Sequence, residues 1–286
     1  MSHLIPGEYD VMLNGVRIHY TVRGTGPVLL AHSGGPGMDA RGWDDFAHID
    51  DFVTIVAMHP RGSGLSGAAA GDAYLLPDYA SDLQALRLHL SIDKPILGWS
   101  HGGMVAMQYA STYPDALSKL ILIDTSAYFG EFLSDIEGAV QEFKDETWFE
   151  RSFAALKAEW VGEYQTDEDM VRLWAEEMKF YFKKFDERAE AYHERTKELP
   201  VRIAPLKTFN DREAPTLDLR PQLHKISVPT LIVVGRHDFI TNIAMAEEML
   251  KHIPSAQLVI FEDSGHYAMV EEPGKFYQVI KEFVES

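Results

Sequence analysis

Apolar residues along this chain fall into three patterns, and each predicts a different kind of element. Near the N-terminus, residues 9–13 and 16–22 alternate apolar with polar positions on either side of Asn14-Gly15. Such alternation about an Asn-Gly pair predicts a β-hairpin, because both central residues of the tight turn must take positive φ. Short, mostly apolar runs then recur at 27–32, 52–58, 94–97, 119–124, 229–235 and 256–261. They are too short for helices and read as strands buried on both faces. Between several of them the spacing becomes helical: Leu83, Leu86 and Leu90 share a face within 79–90, residues 103–110 run on to a stop near Tyr113-Pro114, and 273–284 closes the chain. Strands alternating with helices predict an α/β fold, a mostly parallel sheet flanked by helices.

The third pattern covers about 128–223, where buried-strand runs vanish and aromatics mix with charges at helical spacing, as in 148–153 and 178–185. Because strands resume at 229, the expectation is one core, residues 1–127 and 224–286, with a helical cap of residues 128–223 inserted in it. Its aromatics are read mainly as packing between helices, the remainder as lining of a pocket.

Composition narrows the function. With 286 residues, 46% of them hydrophobic, the chain can bury a substantial core. A net charge of -18 without a basic stretch argues against nucleic acid or an anionic membrane as partner. There is no cysteine, which removes disulfides, thiolate catalysis and cysteine metal sites. No apolar run approaches the roughly 18 residues of a membrane span, and residues 1–10 lack the features of a secretory signal, so a soluble cytoplasmic protein is expected. No His-Glu-x-x-His pair appears, so no metal is expected. Gly62 to Gly67 matches G-x-G-x-x-G, but Gly71 and Pro77 interrupt the stretch where a nucleotide-binding helix should run. No cofactor is expected.

Chemistry is concentrated at Gly98-Trp99-Ser100-His101-Gly102, a G-x-S-x-G sequence between an apolar strand and a helix. A tight turn there would expose the Ser100 hydroxyl and point the helix's free N–H groups at an oxyanion formed beside it. Serine is a poor nucleophile unless a base takes its proton, and the base works best when an acid fixes its tautomer. Asp238 lies just past the run ending at Gly235, and His266 just past the run ending at Phe261. Both strand-end positions suit a Ser100, Asp238, His266 triad, with Asp124 as the competing acid.

Elbow, acid and histidine together resemble the α/β-hydrolase superfamily along the whole chain. Gly34-Gly35-Pro36-Gly37 is similar to the H-G-G-P-G loop of proline iminopeptidases, cap-bearing serine aminopeptidases, although Ser33 replaces the histidine. His59-Pro60-Arg61-Gly62-Ser63-Gly64 departs from that family's D-Q-R-G-x-G, and Trp99 and His101 depart from its commonest elbow. The resemblance implies an oxyanion hole formed by the backbone N–H groups of Gly35 and His101. It also implies two glutamates that hold the substrate's α-amine, one from the cap and one beside the catalytic aspartate. Phe239 stands where the second would be, and Glu213 is the candidate for the first, against the plainer reading of a solvated surface glutamate. Trp99, Glu213 and Phe239 are therefore the candidate substrate contacts. Epoxide hydrolases and haloalkane dehalogenases share the fold but carry aspartate at the elbow, so Ser100 argues against both.

Three functions remain open on sequence alone: an aminopeptidase acting on short peptides, an esterase or lactonase acting on a small acyl substrate, and a non-catalytic ligand-binding member of the fold. The complete triad speaks against the third.

Overall fold

The computed structural model describes residues 4–43, 46–92, 96–129 and 136–286, and within them eight strands form a single sheet. Strands β1 (Gly7–Leu13) and β2 (Val16–Gly24) make the predicted hairpin, with Asn14 at φ 48° and Gly15 at φ 79° in the turn. The hairpin joins the sheet antiparallel, β2 against β4 (Thr54–Met58). From there the pairing is parallel: β4 with β3 (Val28–His32), then β5 (Ile96–Trp99), β6 (Leu120–Ile123), β7 (Thr230–Gly235) and β8 (Ala256–Phe261). The spatial order is β1-β2-β4-β3-β5-β6-β7-β8. Lys94 and Pro95, where the sequence places the start of β5, lie outside the described residues.

Every residue of β4, β5, β6 and β7 is buried, which is why these strands read as apolar runs and not as alternation. Their side chains still alternate between two cores. Leu97, Ile121 and Val233 face one that includes Phe276 and Ile280 of the C-terminal helix, while Ile96, Leu122 and Ile232 face one that includes Leu83, Met104 and Met249. The first core extends without a break into Phe149, Met170, Phe180 and Tyr192 of the segment between β6 and β7.

Helix α1 (Leu76–His89) starts three residues before the predicted Tyr79. Pro77 falls in its first turn, where a missing N–H costs no helical bond, so this proline opens the helix. Helix α2 (His101–Thr112) begins directly after Ser100. Between β6 and β7 the described chain is helical: α3 (Ile136–Ala139), α4 (Phe149–Trp160), α5 (Asp167–Glu177), α6 (Glu187–Thr196) and α7 (Ile203–Thr208). Helix α8 (Ile243–His252) joins β7 to β8 and was not anticipated from the sequence, although Asn242 caps it by accepting the N–H of Met245 at 3.2 Å. The short α9 (Ala268–Glu271) and α10 (Pro273–Glu285) complete the chain. No helix of the described residues is long and apolar enough to cross a membrane.

Candidate active site

Ser100 occupies the sharp turn from β5 into α2 with φ 53° and ψ −124°, a conformation rarely held by a residue with a side chain. Its neighbours explain the glycines. A Cβ on Gly98 would lie 2.2 Å from the carbonyl oxygen of Gly102, and one on Gly102 would lie 2.2 Å from that of His32. Only bare backbone permits β3, β5 and α2 to approach this closely, and the resulting turn holds Ser100 at the wall of a cavity of about 250 Å³.

His266 lines the same cavity, in the loop after β8. Its Nδ1 is 2.7 Å from Oδ2 of Asp238, which lies three residues beyond β7. Oδ1 of Asp238 accepts the N–H groups of Ile240 at 2.9 Å and Thr241 at 3.0 Å, and the Thr241 hydroxyl donates to Oδ2 at 2.6 Å. Burial by itself would raise this carboxyl's pKa. The charge and hydrogen bond of His266 and the Thr241 donors outweigh burial and hold it below the usual range, so Asp238 is an anion in the interior. The structure thus brings Ser100, Asp238 and His266 to one site.

Asp124, the competing acid, sits beside that site in a different state. Its Oδ1 accepts the N–H of Gly235 at 2.8 Å, whereas its buried Oδ2 has no partner. Burial, then the charge of Asp238, push its pKa well above the carboxylate range, so it is held protonated.

Gly35 and His101 line the cavity with Ser100, as the oxyanion-hole expectation requires. The His101 ring packs in a buried cluster, 5.2 Å from Phe209, 5.4 Å from Tyr79 and 6.4 Å from His32 between ring centres. Burial drops His101 to about 3 and His32 to about 4, so both rings are neutral. Trp99 also lines the cavity, and its indole N–H donates to the carbonyl of His266 at 3.3 Å, which makes it a support for His266 as well as a wall.

Two expected substrate contacts are placed elsewhere. Phe239 is buried against Tyr181, 5.0 Å between ring centres, and does not line the cavity. Glu213 does not line it either: its Oε1 accepts the N–H of Leu76 at 2.7 Å, so this carboxyl caps the start of α1. A glutamate near the end of a helical segment is indistinguishable in sequence from a pocket glutamate, and its distant partner, 137 positions away, decides the matter.

The acidic residue that does line the cavity is Glu159 of α4, and Glu177 of α5 lies buried near it. Glu159 lines the cavity together with Trp160, Met170, Trp174 and Tyr181. Glu177 is buried, with Oε2 lacking a partner. Burial raises Glu159 to about 7, and burial followed by the charge of Glu159 holds Glu177 well above the carboxylate range. Among the described residues neither carboxyl forms an ion pair. Sequence reasoning missed both, and the available signal was weak: a glutamate in each of two amphipathic helices.

The model of the alpha/beta hydrolase fold family matches residues 27–273, and the chain belongs to that family. It is 27% identical to the proline iminopeptidase of Saccharolobus solfataricus over 95% of this chain and 90% of the relative. It is 26% identical to a pimeloyl-acyl-carrier-protein methyl ester esterase of Nitrosomonas europaea, covering 91% of this chain and 96% of that one. An alpha/beta fold family hydrolase from Bacillus anthracis superposes with a TM-score of 0.77 at 24% identity, covering 98% of this chain and all of the other. These likenesses place the chain among hydrolases that resemble proline iminopeptidases.

Proposed function

We propose that the protein is a serine hydrolase of the aminopeptidase type, releasing an N-terminal residue from short peptides in a soluble, cytoplasmic setting. Ser100 Oγ attacks the scissile carbonyl while His266 Nε2 takes its proton, and Asp238 fixes the tautomer and stabilises the imidazolium. The N–H groups of Gly35 and His101 receive the oxyanion. His266 then returns the proton to the leaving amine, an acyl-enzyme forms on Ser100, and a water activated by His266 hydrolyses it.

The observation that carries this reading is Glu159 in the largely apolar, aromatic wall of the cavity, with the buried Glu177 near it. Two neighbouring carboxyls with no ion-pair partner, one of them buried, are costly to ionise, and a ligand ammonium group relieves the cost by pairing with Glu159. A free α-amine beside the scissile bond is such a group, and Trp160, Met170 and Trp174 suit an apolar side chain next to it. Phe239 in place of a second glutamate beside Asp238 favours the alternative of an esterase or lactonase on a small neutral acyl substrate, for which a protonated Glu159 would act as a hydrogen-bond donor.

The test compares kcat/KM for a prolyl arylamide and its N-acetylated form in the wild type, Glu159→Gln and Glu177→Gln. The wild type is expected to prefer the free amine, and Glu159→Gln to reduce that preference at least tenfold, about 1.4 kcal/mol. The preference should also grow as pH rises through about 7, because only the ionised Glu159 attracts the ammonium group. Preference for the acetylated compound, or rapid cleavage of neutral esters with neither amide touched, would overturn the aminopeptidase reading in favour of the esterase.

A further inference from the structure

The catalytic-histidine loop is tied to the helical segment by one carboxyl that the reaction itself does not use. Glu271, at the end of α9, accepts the N–H of Gly265 on Oε2 at 2.7 Å and the N–H of Lys183 on Oε1 at 2.8 Å. The N–H of Lys184 donates to it as well. Gly265 immediately precedes His266, whereas Lys183 and Lys184 belong to the chain between α5 and α6. A second tie runs in parallel, since His266 donates its own N–H to the carbonyl of Tyr181 at 2.7 Å. The two strands of chain are as close as backbone allows: a Cβ on Gly265 would lie 2.5 Å from the Tyr181 carbonyl oxygen and 3.1 Å from the Lys183 nitrogen.

Tyr181 makes this contact matter for the site. Its ring lines the cavity, 5.5 Å from the His266 ring and 4.9 Å from that of Trp174 between centres. Movement of residues 181–184 relative to the sheet would therefore shift the backbone of the base and a cavity wall together. The neighbouring Glu272 accepts the N–H of Asp263 at 3.0 Å and the hydroxyl of Ser264 at 2.8 Å, so the loop's earlier residues are anchored to the core independently. What Glu271 adds is the link across to the helical segment.

We propose that Glu271 is a positioning residue for His266, locking the base to the helical segment so that the triad is aligned only when that segment is seated. The role needs the ionised carboxylate, because a protonated oxygen becomes a donor facing N–H groups that also donate. Burial brings Glu271 to about 7 despite its three backbone donors. The charged groups around it are Asp186, Lys183, Arg188 and Glu272, with the protonated Asp124 also near, and Arg188 bonds its backbone carbonyl at 2.6 Å without touching the carboxyl. Seating of the base is thus lost as pH falls through about 7.

The proposal rests on Ser100 and His266 working together, and not on the substrate class, so the experiment uses a fluorophosphonate probe. Labelling of Ser100 in the wild type and its loss in His266→Ala test the serine-hydrolase reading alone. Comparison with Glu271→Gln and Glu271→Asp then tests the positioning role. Gln presents an N–H₂ to one of the backbone donors, so labelling at pH 8 is expected to slow at least tenfold with an unfolding midpoint within a few degrees of the wild type. Asp should recover part of the rate. On the acidic side the wild-type rate should fall more steeply through about pH 7 than that of Glu271→Gln, which lacks the titrating carboxyl. The low-field proton resonance of the His266–Asp238 bond should broaden in Glu271→Gln, a readout independent of any reaction. Unchanged labelling, or a rate and midpoint that fall together with an unaltered acid limb and a sharp low-field proton, would overturn the proposal and leave Glu271 as a structural tie.

Discussion

Ser100→Ala is expected to lower turnover of every substrate the wild type accepts by about six orders of magnitude, the loss seen when a triad serine is removed elsewhere. The residual rate would come from the oxyanion donors and binding, which the substitution leaves in place. Folding should survive, because the side chain is half-buried at a cavity wall and its loss leaves no hole in either core. A companion variant separates chemistry from structure. Ser100 holds φ 53° and ψ −124°, a strained conformation that glycine adopts freely, so Ser100→Gly should be equally inactive yet more stable by about 1 kcal/mol. Steady-state kinetics and urea denaturation measure the two effects. Substantial turnover in either variant would remove Ser100 from the mechanism.

The sheet was legible because its inner strands are buried on both faces, so each appears as an apolar run bounded by turns, and the ends of those runs locate Asp238 and His266. The elbow was legible because only glycine at 98 and 102 allows the backbones to touch, a constraint that writes itself into the sequence. Helix α8 was missed since Met245, Ala246 and Met249 give only a short apolar stripe among polar residues. The cavity wall was legible as a class of residue but not residue by residue. Glu159 and Glu177 sit in helices whose other glutamates are exposed or ion-paired, and packing of α4 against α5 distinguishes them. Glu213 and Phe239 show the converse: position near a motif suggested contact, whereas the fold sends one to α1 and the other into the core. Thr241, which supports both Asp238 and the Nδ1 side of His266 at 3.4 Å, had no sequence signal beyond its place after the acid.

The second large effect is expected at Asp238, and its contrast with Asp124 follows from their protonation. In Asp238→Asn the amide oxygen takes the Oδ1 position, where Ile240 and Thr241 both donate, so the amide nitrogen must face His266 Nδ1. An N–H there requires Nδ1 to accept, which moves the imidazole proton to Nε2 and leaves no lone pair for the Ser100 proton. Loss of the right tautomer costs about 10⁴-fold in kcat in a comparable triad, with the geometry otherwise intact. Asp124→Asn exchanges one neutral group for another, because burial and the Asp238 anion already keep Asp124 protonated. Its oxygen can still accept the N–H of Gly235, and kcat should fall less than tenfold. The stability effect has a definite sign. A carboxyl whose folded pKa is raised costs stability progressively as pH rises from its unfolded value, near 3.8, towards the folded one, so Asp124→Asn should match the wild type in acid and equal or exceed it at pH 8. The two sites are also coupled: without the Asp238 charge, Asp124 ionises more readily. The double variant should therefore lose any residual activity that Asp124 lends to Asp238→Asn. Kinetics of the three variants with urea melts at pH 5 and 8 test the scheme, and a larger loss in Asp124→Asn than in Asp238→Asn would make Asp124 the triad acid.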